Sequence, residues 1–215
     1  MNKIRLIAIE GLDGTGKTLQ AKRLAQAMGV EYHKGGGWDK DSELARRYAR
    51  EGNRDLYFSL MQRRFVRGIK EMLEQKKEGI VGVADRLVLV DVAHHLSFFF
   101  DPESTSFPEE ERKIALSYLK KHIPEGTFGI VLDVSDPAIL EQRIKQKKEF
   151  DLTEQDTLDR FEAKRAAWLW CADALGWEIV DATGSEEEVF KKIRACLEKN
   201  RVLPEGQVGL KEVKY

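Results

Sequence analysis

The sequence predicts an α/β domain in which a five-stranded parallel sheet is covered by helices on both faces. Short apolar runs rich in β-favouring residues alternate with stretches of helical periodicity, which is typical of successive βαβ units. Most of these runs lack the alternation of a half-exposed strand, which favours strands buried on both faces. The length of 215 residues fits one large domain. We assign that domain to residues 1–200 and a C-terminal tail to residues 201–215.

The predicted strands are short and follow one another at intervals that leave room for a helix. They are Ile4–Ile9, Val30–His33, Gly79–Ala84, Phe128–Val134 and Trp177–Asp181. A parallel connection needs a crossover of a dozen residues or more, and a helix usually supplies it. The spacing therefore predicts five strands joined mainly by helices.

Apolar side chains repeat at helical spacing between these strands. In the first such stretch the repeat ends at Gly29, a residue suited to a helix C-cap. Ser185 and Glu188 form a predicted capping box before the last stretch. The four stripes are Ala21–Met28, Phe58–Met72, Leu158–Leu175 and Val189–Leu197, and we expect all of them to face the core.

Composition excludes several classes of protein. The chain carries 36 basic and 37 acidic residues, interleaved along most of its length, which argues against electrostatic binding of nucleic acid. No apolar run approaches the roughly 18 residues of a membrane span, so we expect a cytoplasmic protein without a membrane partner. Cys171 and Cys196 are far apart and lack a zinc-ligand pattern, which favours two buried thiols.

A phosphate-binding motif follows the first strand directly. Gly11-Leu12-Asp13-Gly14-Thr15-Gly16-Lys17-Thr18 fits the P-loop pattern GxxxxGK[ST] and opens the first predicted helix. Glycines allow the backbone to direct N–H groups at phosphate oxygens, and the helix N-terminus adds positive potential. Lysine reaches the outer phosphates, and the threonine hydroxyl can bind Mg²⁺. The predicted ATP-binding residues are Gly11, Asp13, Gly14, Thr15, Gly16, Lys17 and Thr18; a plain glycine turn is the alternative.

Asp85 and Arg86 end the third predicted strand. Ligands of parallel sheets bind beyond the carboxyl ends of the strands, where the P-loop also lies. An aspartate there can hold Mg²⁺ together with Thr18, and an arginine can bind a second phosphate bidentately. A surface ion pair is the alternative. A regulatory GTPase would carry an NKxD-type guanine motif, which the sequence lacks.

The chain resembles the thymidylate kinase-like family of P-loop nucleoside-monophosphate kinases. The resemblance runs from Lys3 to about Leu197 and is carried by the residues from Ile9 to Gln20, by Asp85-Arg86, by Leu132–Pro137, by Arg160-Phe161 to Trp168 and by Val180–Thr183. It implies a five-stranded parallel sheet, ATP as donor, Mg²⁺ as cofactor, dTMP as acceptor and a homodimer. It also implies that Asp13 faces the substrate sugar, that Asp85 supports the metal and that Arg86 holds the acceptor phosphate.

A basic segment from Gln142 to Lys148 resembles the lid of this family. Gly14 stands where some members place an arginine, so the resemblance makes Arg143 the catalytic cation beside Lys17 and Arg86. A solvated helix face is the alternative interpretation of the segment.

The acceptor pocket carries the departures from the family. Phe58 matches the phenylalanine of its base-binding stretch, Arg63 lies one position after the arginine of that stretch, and His94 replaces a tyrosine. We expect Phe58, Arg63 and His94 to contact the acceptor together with Asp13 and Arg86, although Phe58 also fits a core stripe. Because Leu87 replaces the tyrosine that usually follows Asp-Arg, two alternatives stay open: a kinase of another small acceptor and a nucleotide-binding protein without activity.

Overall fold

The computed structural model describes residues 4–35, 79–146 and 152–202, together with isolated positions between 44 and 74. Within these residues five parallel strands form one sheet in the order β2-β3-β1-β4-β5. The strands are β1 (Leu6–Gly11), β2 (Glu31–Lys34), β3 (Gly82–Asp85), β4 (Thr127–Asp133) and β5 (Glu178–Asp181). The predicted fold class and all five strand positions are confirmed, with boundaries shifted by up to three residues.

Every residue of the central strand β1 is buried, and so is every residue of β3. The outer strands β2 and β5 are partly exposed, because each has a neighbour on one side only. In the register of the sheet, Ile9 lies opposite Asp85 and Gly11 lies opposite Leu132. The carboxyl ends of β1, β3 and β4 therefore meet at one edge, from which the loops of the candidate site emerge.

Seven α-helices accompany the sheet in the part of the chain that the structure describes. They are α1 (Lys17–Met28), α2 (Leu89–Leu96), α3 (Glu109–His122), α4 (Pro137–Lys145), α5 (Leu152–Asp159), α6 (Phe161–Leu175) and α7 (Glu186–Lys199), with one 3₁₀ turn at Ser97–Phe99. Helix α1 ends at Gly29 in the left-handed conformation, as predicted. The predicted capping box of Ser185 and Glu188 opens α7.

The stripe from Leu158 to Leu175 belongs to two helices rather than one. Arg160 interrupts it with φ −125° and ψ 30°, which are not helical values. The Arg160 guanidinium lies 3.8 Å from the centre of the Phe98 ring and donates a hydrogen bond to Ser97 Oγ at 3.0 Å. These contacts tie the break between α5 and α6 to the end of α2.

Two further predictions fall wholly or mostly on residues that the structure does not describe. The stripe Phe58–Met72 lies outside the described residues, and so do positions 203–215 of the predicted tail. Val202, which we assigned to the tail, is buried against the core. Among the described residues no helix is long and apolar enough to cross a membrane.

Candidate active site

The phosphate loop runs from the end of β1 to the start of α1 with backbone conformations that require glycine. Gly11 has φ +141°, and a Cβ there would lie 2.5 Å from the carbonyl oxygen of Leu132 in the neighbouring strand. Gly14 has φ +88°, and a Cβ there would lie 2.9 Å from Ile144 of α4. Only glycine tolerates both the left-handed backbone and the close approach. Gly11 is a fixed position of the motif, and the second fixed glycine, Gly16, also has a left-handed φ of +86°; Gly14 is specific to this chain, where the loop packs against α4.

Lys17 is buried beneath this loop, with 4% of its surface exposed. Its Nζ donates hydrogen bonds to the carbonyl oxygen of Leu12 at 2.9 Å and to Asp13 Oδ1 at 3.3 Å. Burial lowers the pKa of Lys17, and the nearby charge of Arg86 lowers it further. The loop therefore holds the lysine ammonium in one place before any ligand binds.

Arg86 lies beside Lys17, as the sequence predicted for these two strand ends. Its Nη2 donates a hydrogen bond to Asp13 Oδ1, the same oxygen that Lys17 contacts. Arg86 itself has φ +74°, an uncommon conformation for a residue with a side chain. Asp13, which the resemblance assigned to the sugar, thus holds two cations from different elements together.

Asp85 forms the acidic part of the site and is 1% exposed. Its Oδ2 accepts a hydrogen bond from the Tyr32 hydroxyl at 3.1 Å, while Oδ1 is buried and has no hydrogen-bond partner in the described part of the chain. Burial raises the pKa of Tyr32, and the charge of Asp85 raises it further. Thr18 is exposed in the first turn of α1. A buried carboxylate and an exposed threonine hydroxyl provide oxygen ligands that suit Mg²⁺.

Glu10 is a second buried carboxylate at this edge and is 0% exposed. Its Oε1 accepts a hydrogen bond from the backbone N–H of Leu87, the residue after Arg86. Burial raises the pKa of Glu10 to about 8, against the lowering effect of the Leu87 hydrogen bond and of the charges on Arg86 and Lys17. The strand end after β3 is therefore anchored to β1 by a side chain as well as by the sheet.

Helices α5 and α6 close the site on the side of Asp13. Lys164 of α6 is 5% exposed, and its Nζ contacts Asp156 Oδ2 at 2.5 Å and Thr157 Oγ1 at 3.2 Å. Thr157 Oγ1 in turn lies 3.5 Å from Asp13 Oδ2. Burial lowers the pKa of Lys164, although Asp156 opposes that effect. These polar contacts connect α5 and α6 to the phosphate loop through Asp13.

Arg143 lies at a different part of the sheet edge from Lys17 and Arg86. Its guanidinium donates to the carbonyl oxygens of Ala182 at 2.7 Å, Thr183 at 3.1 Å and Gly184 at 2.7 Å, in the loop after β5. Its role as the cation over the phosphates stays a prediction.

The two histidines of α2 have different surroundings. His95 Nε2 lies 2.9 Å from Glu111 of α3, whereas the His94 ring packs edge-on against Phe98 with 5.0 Å between ring centres. The contact of His94 with an acceptor stays a prediction. Phe58 and Arg63, the other candidate acceptor residues, lie outside the described residues.

Sequence reasoning assigned no role to Glu10, Tyr32 or Lys164. Glu10 carries a detectable signal, because an acidic residue inside a strand that is otherwise apolar has to be buried. Lys164 lies within the stripe of α6 without breaking its period, and Tyr32 gives no signal because its partner Asp85 is 53 positions away.

The chain is similar over nearly its whole length to curated thymidylate kinases. The probable thymidylate kinase of Pyrobaculum calidifontis is 28% identical over 200 residues, which cover 90% of this chain and 95% of that protein. The thymidylate kinase of Carboxydothermus hydrogenoformans is 24% identical over 217 residues, which cover 90% of this chain and 97% of that protein. The chain is thus similar to thymidylate kinases over nearly its whole length, and this likeness supports a P-loop nucleoside-monophosphate kinase.

Solved structures show that the thymidylate kinase-like fold extends over almost the entire chain. The thymidylate kinase of Candida albicans superposes with a TM-score of 0.65 at 18% identity and covers 94% of each chain. The thymidylate kinase of Ehrlichia chaffeensis gives 0.56 at 17% identity, covering 90% of this chain and 98% of the other. The shikimate kinase of Bacteroides thetaiotaomicron gives 0.57 at 14% identity, covering 92% and 98%. No protein-family profile matches this thymidylate kinase-like chain.

Proposed function

We propose that the protein transfers the γ-phosphoryl group of ATP to a nucleoside monophosphate in a Mg²⁺-dependent reaction, with dTMP as the first candidate acceptor and dTDP as the product. The observation that carries this proposal is the contact of both Lys17 and Arg86 with Asp13 Oδ1. Phosphoryl transfer requires alignment and positive charge rather than covalent chemistry by the protein. Two cations from adjacent strand ends, held side by side, match a reaction between two phosphate groups.

Lys17, the glycine loop and the N-terminus of α1 form the donor-phosphate part of the proposed site. Arg143 is proposed to contact the base of ATP rather than, as the sequence predicted, its phosphates. Its in-plane N–H groups point to carbonyl oxygens of residues 182–184, and a guanidinium fixed in this way can stack its flat face on an aromatic ring.

Asp85 and Thr18 would hold Mg²⁺ at the proposed site. The fit rests on the buried Asp85 Oδ1 without a hydrogen-bond partner in the described part of the chain, since an oxygen of this kind is stabilised by a cation or its water ligands. When bound, the metal would neutralise charge on the phosphates.

The residues of the chain divide the remaining tasks. Lys17 binds the outer donor phosphate, and Arg86 binds the acceptor phosphate in exchange for its contact with Asp13. Asp13, relieved of Arg86, keeps Lys17 in position through the remaining contact. Helices α5 and α6 exclude water from this side through the buried Lys164 and its partners.

The choice of dTMP is supported by the two curated relatives, which are named thymidylate kinases and match nearly the whole chain. Leu87 and His94 favour a second candidate, a kinase of another small acceptor, because both replace tyrosines of the resembling family. The side chain of Leu87 is aliphatic and fully buried, so it offers no polar group to an acceptor.

A coupled ADP-release assay with ATP and Mg²⁺ against a panel of nucleoside monophosphates and nucleosides tests the proposal. We expect the highest turnover with dTMP and none with the Lys17→Ala variant. Turnover with another acceptor alone would replace dTMP by that compound. ATP binding without any phosphorylated product would overturn the proposed transfer reaction.

A further inference from the structure

Glu10 is a carboxylic acid in the middle strand of the sheet, where burial is most costly. It lies in β1 between Ile9 and Gly11, opposite Val131 of β4, and none of its surface is exposed. Burying a carboxyl group costs free energy unless hydrogen bonds compensate for the loss of water. Glu10 has such compensation at one oxygen only, because Oε2 has no hydrogen-bond partner among the described residues. Stability alone therefore does not explain the acid at this position.

The satisfied oxygen of Glu10 lies next to the candidate acceptor arginine. Oε1 accepts the N–H of Leu87, and the N–H of Arg86 itself donates to the carbonyl oxygen of Ile9 at 3.2 Å. Two successive backbone N–H groups after β3 are thus bound to two successive residues of β1. Arg86 lies between these anchors.

This double anchor coincides with a strained backbone. Arg86 has φ +74°, a left-handed conformation that is unfavourable for a residue with a side chain. Such a conformation persists only where the surroundings fix it. In this conformation the chain leaves the line of β3, and the guanidinium reaches Asp13 in the phosphate loop. Loss of the Leu87 anchor would allow the backbone to relax and the guanidinium to leave its place beside Lys17.

We propose that Glu10 is a positioning residue for Arg86: by accepting the Leu87 N–H, its carboxyl oxygen maintains the left-handed backbone that directs the Arg86 guanidinium to the acceptor phosphate. The inference rests on the proposed function, because it assigns to Arg86 the binding of the acceptor phosphate. Glu10 thereby joins the proposed site as a residue that contacts neither substrate and acts only through the backbone of Arg86 and Leu87.

Three substitutions separate the hydrogen bond from charge and volume. Glu10→Gln keeps a carbonyl oxygen for the Leu87 N–H, Glu10→Asp keeps the acid but withdraws the oxygen by one methylene, and Glu10→Met fills the space without an acceptor. The measurements are the KM of dTMP, the KM of ATP and kcat, each taken after circular dichroism has shown a folded protein. We expect Glu10→Met and Glu10→Asp to raise the KM of dTMP about tenfold or more, with the KM of ATP changed less than about threefold. Glu10→Gln restores the KM of dTMP to within about threefold of the wild type.

A double-mutant cycle tests the route through Arg86. In an Arg86→Ala background, Glu10→Met has no further effect on the KM of dTMP if Glu10 acts only by positioning that arginine. An equal effect of Glu10→Met in both backgrounds would overturn the proposal. The proposal would also be overturned if Glu10→Asp kept the KM of dTMP and Glu10→Gln raised it. In that case the charge of the carboxyl group, and not the hydrogen bond, would determine the KM. If Glu10→Met does not fold, Glu10→Asp takes its place in the cycle.

The wild type distinguishes failure of this inference from failure of the proposed function. If the wild type phosphorylates no acceptor of the panel, the proposed function fails. The variants are then compared by calorimetric binding of inorganic phosphate, which needs no turnover, and Arg86→Ala defines the part of that binding that belongs to the phosphate loop rather than to Arg86. Weaker binding by Glu10→Met than by Glu10→Gln supports the positioning role, and equal binding overturns it.

Discussion

Two aspartate–arginine pairs lie at the carboxyl edge of the sheet and differ in how completely they satisfy each other. Asp133, at the end of β4, accepts two hydrogen bonds from Arg165 of α6, one from Nε at 2.8 Å and one from Nη2 at 2.7 Å. Asp13 Oδ1 is instead shared between Arg86 and Lys17. A fork-to-fork pair of the first kind fixes two elements to each other. A shared oxygen of the second kind can give up one of its cations to a phosphate.

The backbones beneath the two arginines differ in the same way. Arg165 lies within the regular helix α6, whereas Arg86 has the left-handed φ of +74°. In the proposed function the same residue types therefore serve as a structural clamp at one position and as an exchangeable contact at the other. Backbone conformation and the number of partners distinguish them, and residue type does not.

The largest expected effect concerns Lys17, the cation that shares Asp13 Oδ1 with Arg86. Lys17→Met removes the ammonium that binds the donor phosphate, and we expect turnover to fall about a thousandfold. Steady-state ADP release measures the effect. Lys113→Met is the matched control, because Lys113 is exposed on α3. A loss of turnover below about tenfold in Lys17→Met would contradict the assigned role.

The two arginines provide the direct test of the comparison. We expect Arg86→Ala to raise the KM of the acceptor about a hundredfold with little change in thermal stability, since a charge-assisted contact to substrate is lost. Arg165→Ala should lower the free energy of unfolding by about 1 kcal/mol, because the partly exposed pair is screened by water, and should leave the KM within about twofold. Chemical denaturation and steady-state kinetics on both variants measure the two quantities. Similar behaviour of the two variants would remove the distinction between clamp and exchangeable contact.

Glu10 gives a prediction for the dependence of stability on pH. Burial raises its pKa from 4.5 to about 8, so between these values the folded protein keeps a proton that the unfolded chain loses. The contribution of Glu10 to stability is therefore complete below pH 4.5 and decreases as the pH rises to about 8. Glu10→Gln does not titrate at this position. Its melting temperature relative to the wild type should rise by about 5 °C or more between pH 5 and pH 8.5.

Differential scanning fluorimetry in a series of buffers measures this difference, with Glu109→Gln on the exposed face of α3 as control. A difference between Glu10→Gln and the wild type that stays constant with pH would show that the carboxyl group titrates equally in both states. The charges that face Glu10 are Arg86, Lys17 and Asp85, and all three remain in the variant.

The smallest expected effect concerns Tyr32. Tyr32→Phe removes the hydroxyl that donates to Asp85 Oδ2 and leaves the ring in place. Because Asp85 then lacks one of the contacts that orient it, we expect the Mg²⁺ concentration for half-maximal turnover to rise about threefold. Tyr118→Phe on α3 is the control. An unchanged Mg²⁺ requirement in Tyr32→Phe would separate Tyr32 from the metal site.

The sequence predicted those parts of the site that chain connectivity or strand order determines. The phosphate loop is contiguous, so its motif specifies its own geometry, and the approach of Arg86 follows from the meeting of parallel strand ends. The destination of Arg143 depends on which way a helix face points, which the spacing of charges does not reveal. The break at Arg160 was hidden because the apolar period continues in phase from α5 into α6. Tyr32 contacts a residue of a distant segment, and Lys164 contacts residues of α5 across the break at Arg160, so the sequence period of neither stretch reveals these partners.

Gly14 connects the phosphate loop mechanically to helix α4. A Cβ at this position would lie 2.9 Å from Ile144 and 3.0 Å from Leu140, so the loop backbone rests directly on the side chains of α4. The phosphate loop and α4 are therefore in close contact, so a displacement of one would require an adjustment of the other. The basic segment from Gln142 to Lys148 begins within this helix, so its start is placed by the contact with the loop. A larger side chain at Ile144 would consequently act as a wedge that alters the phosphate loop without touching a substrate.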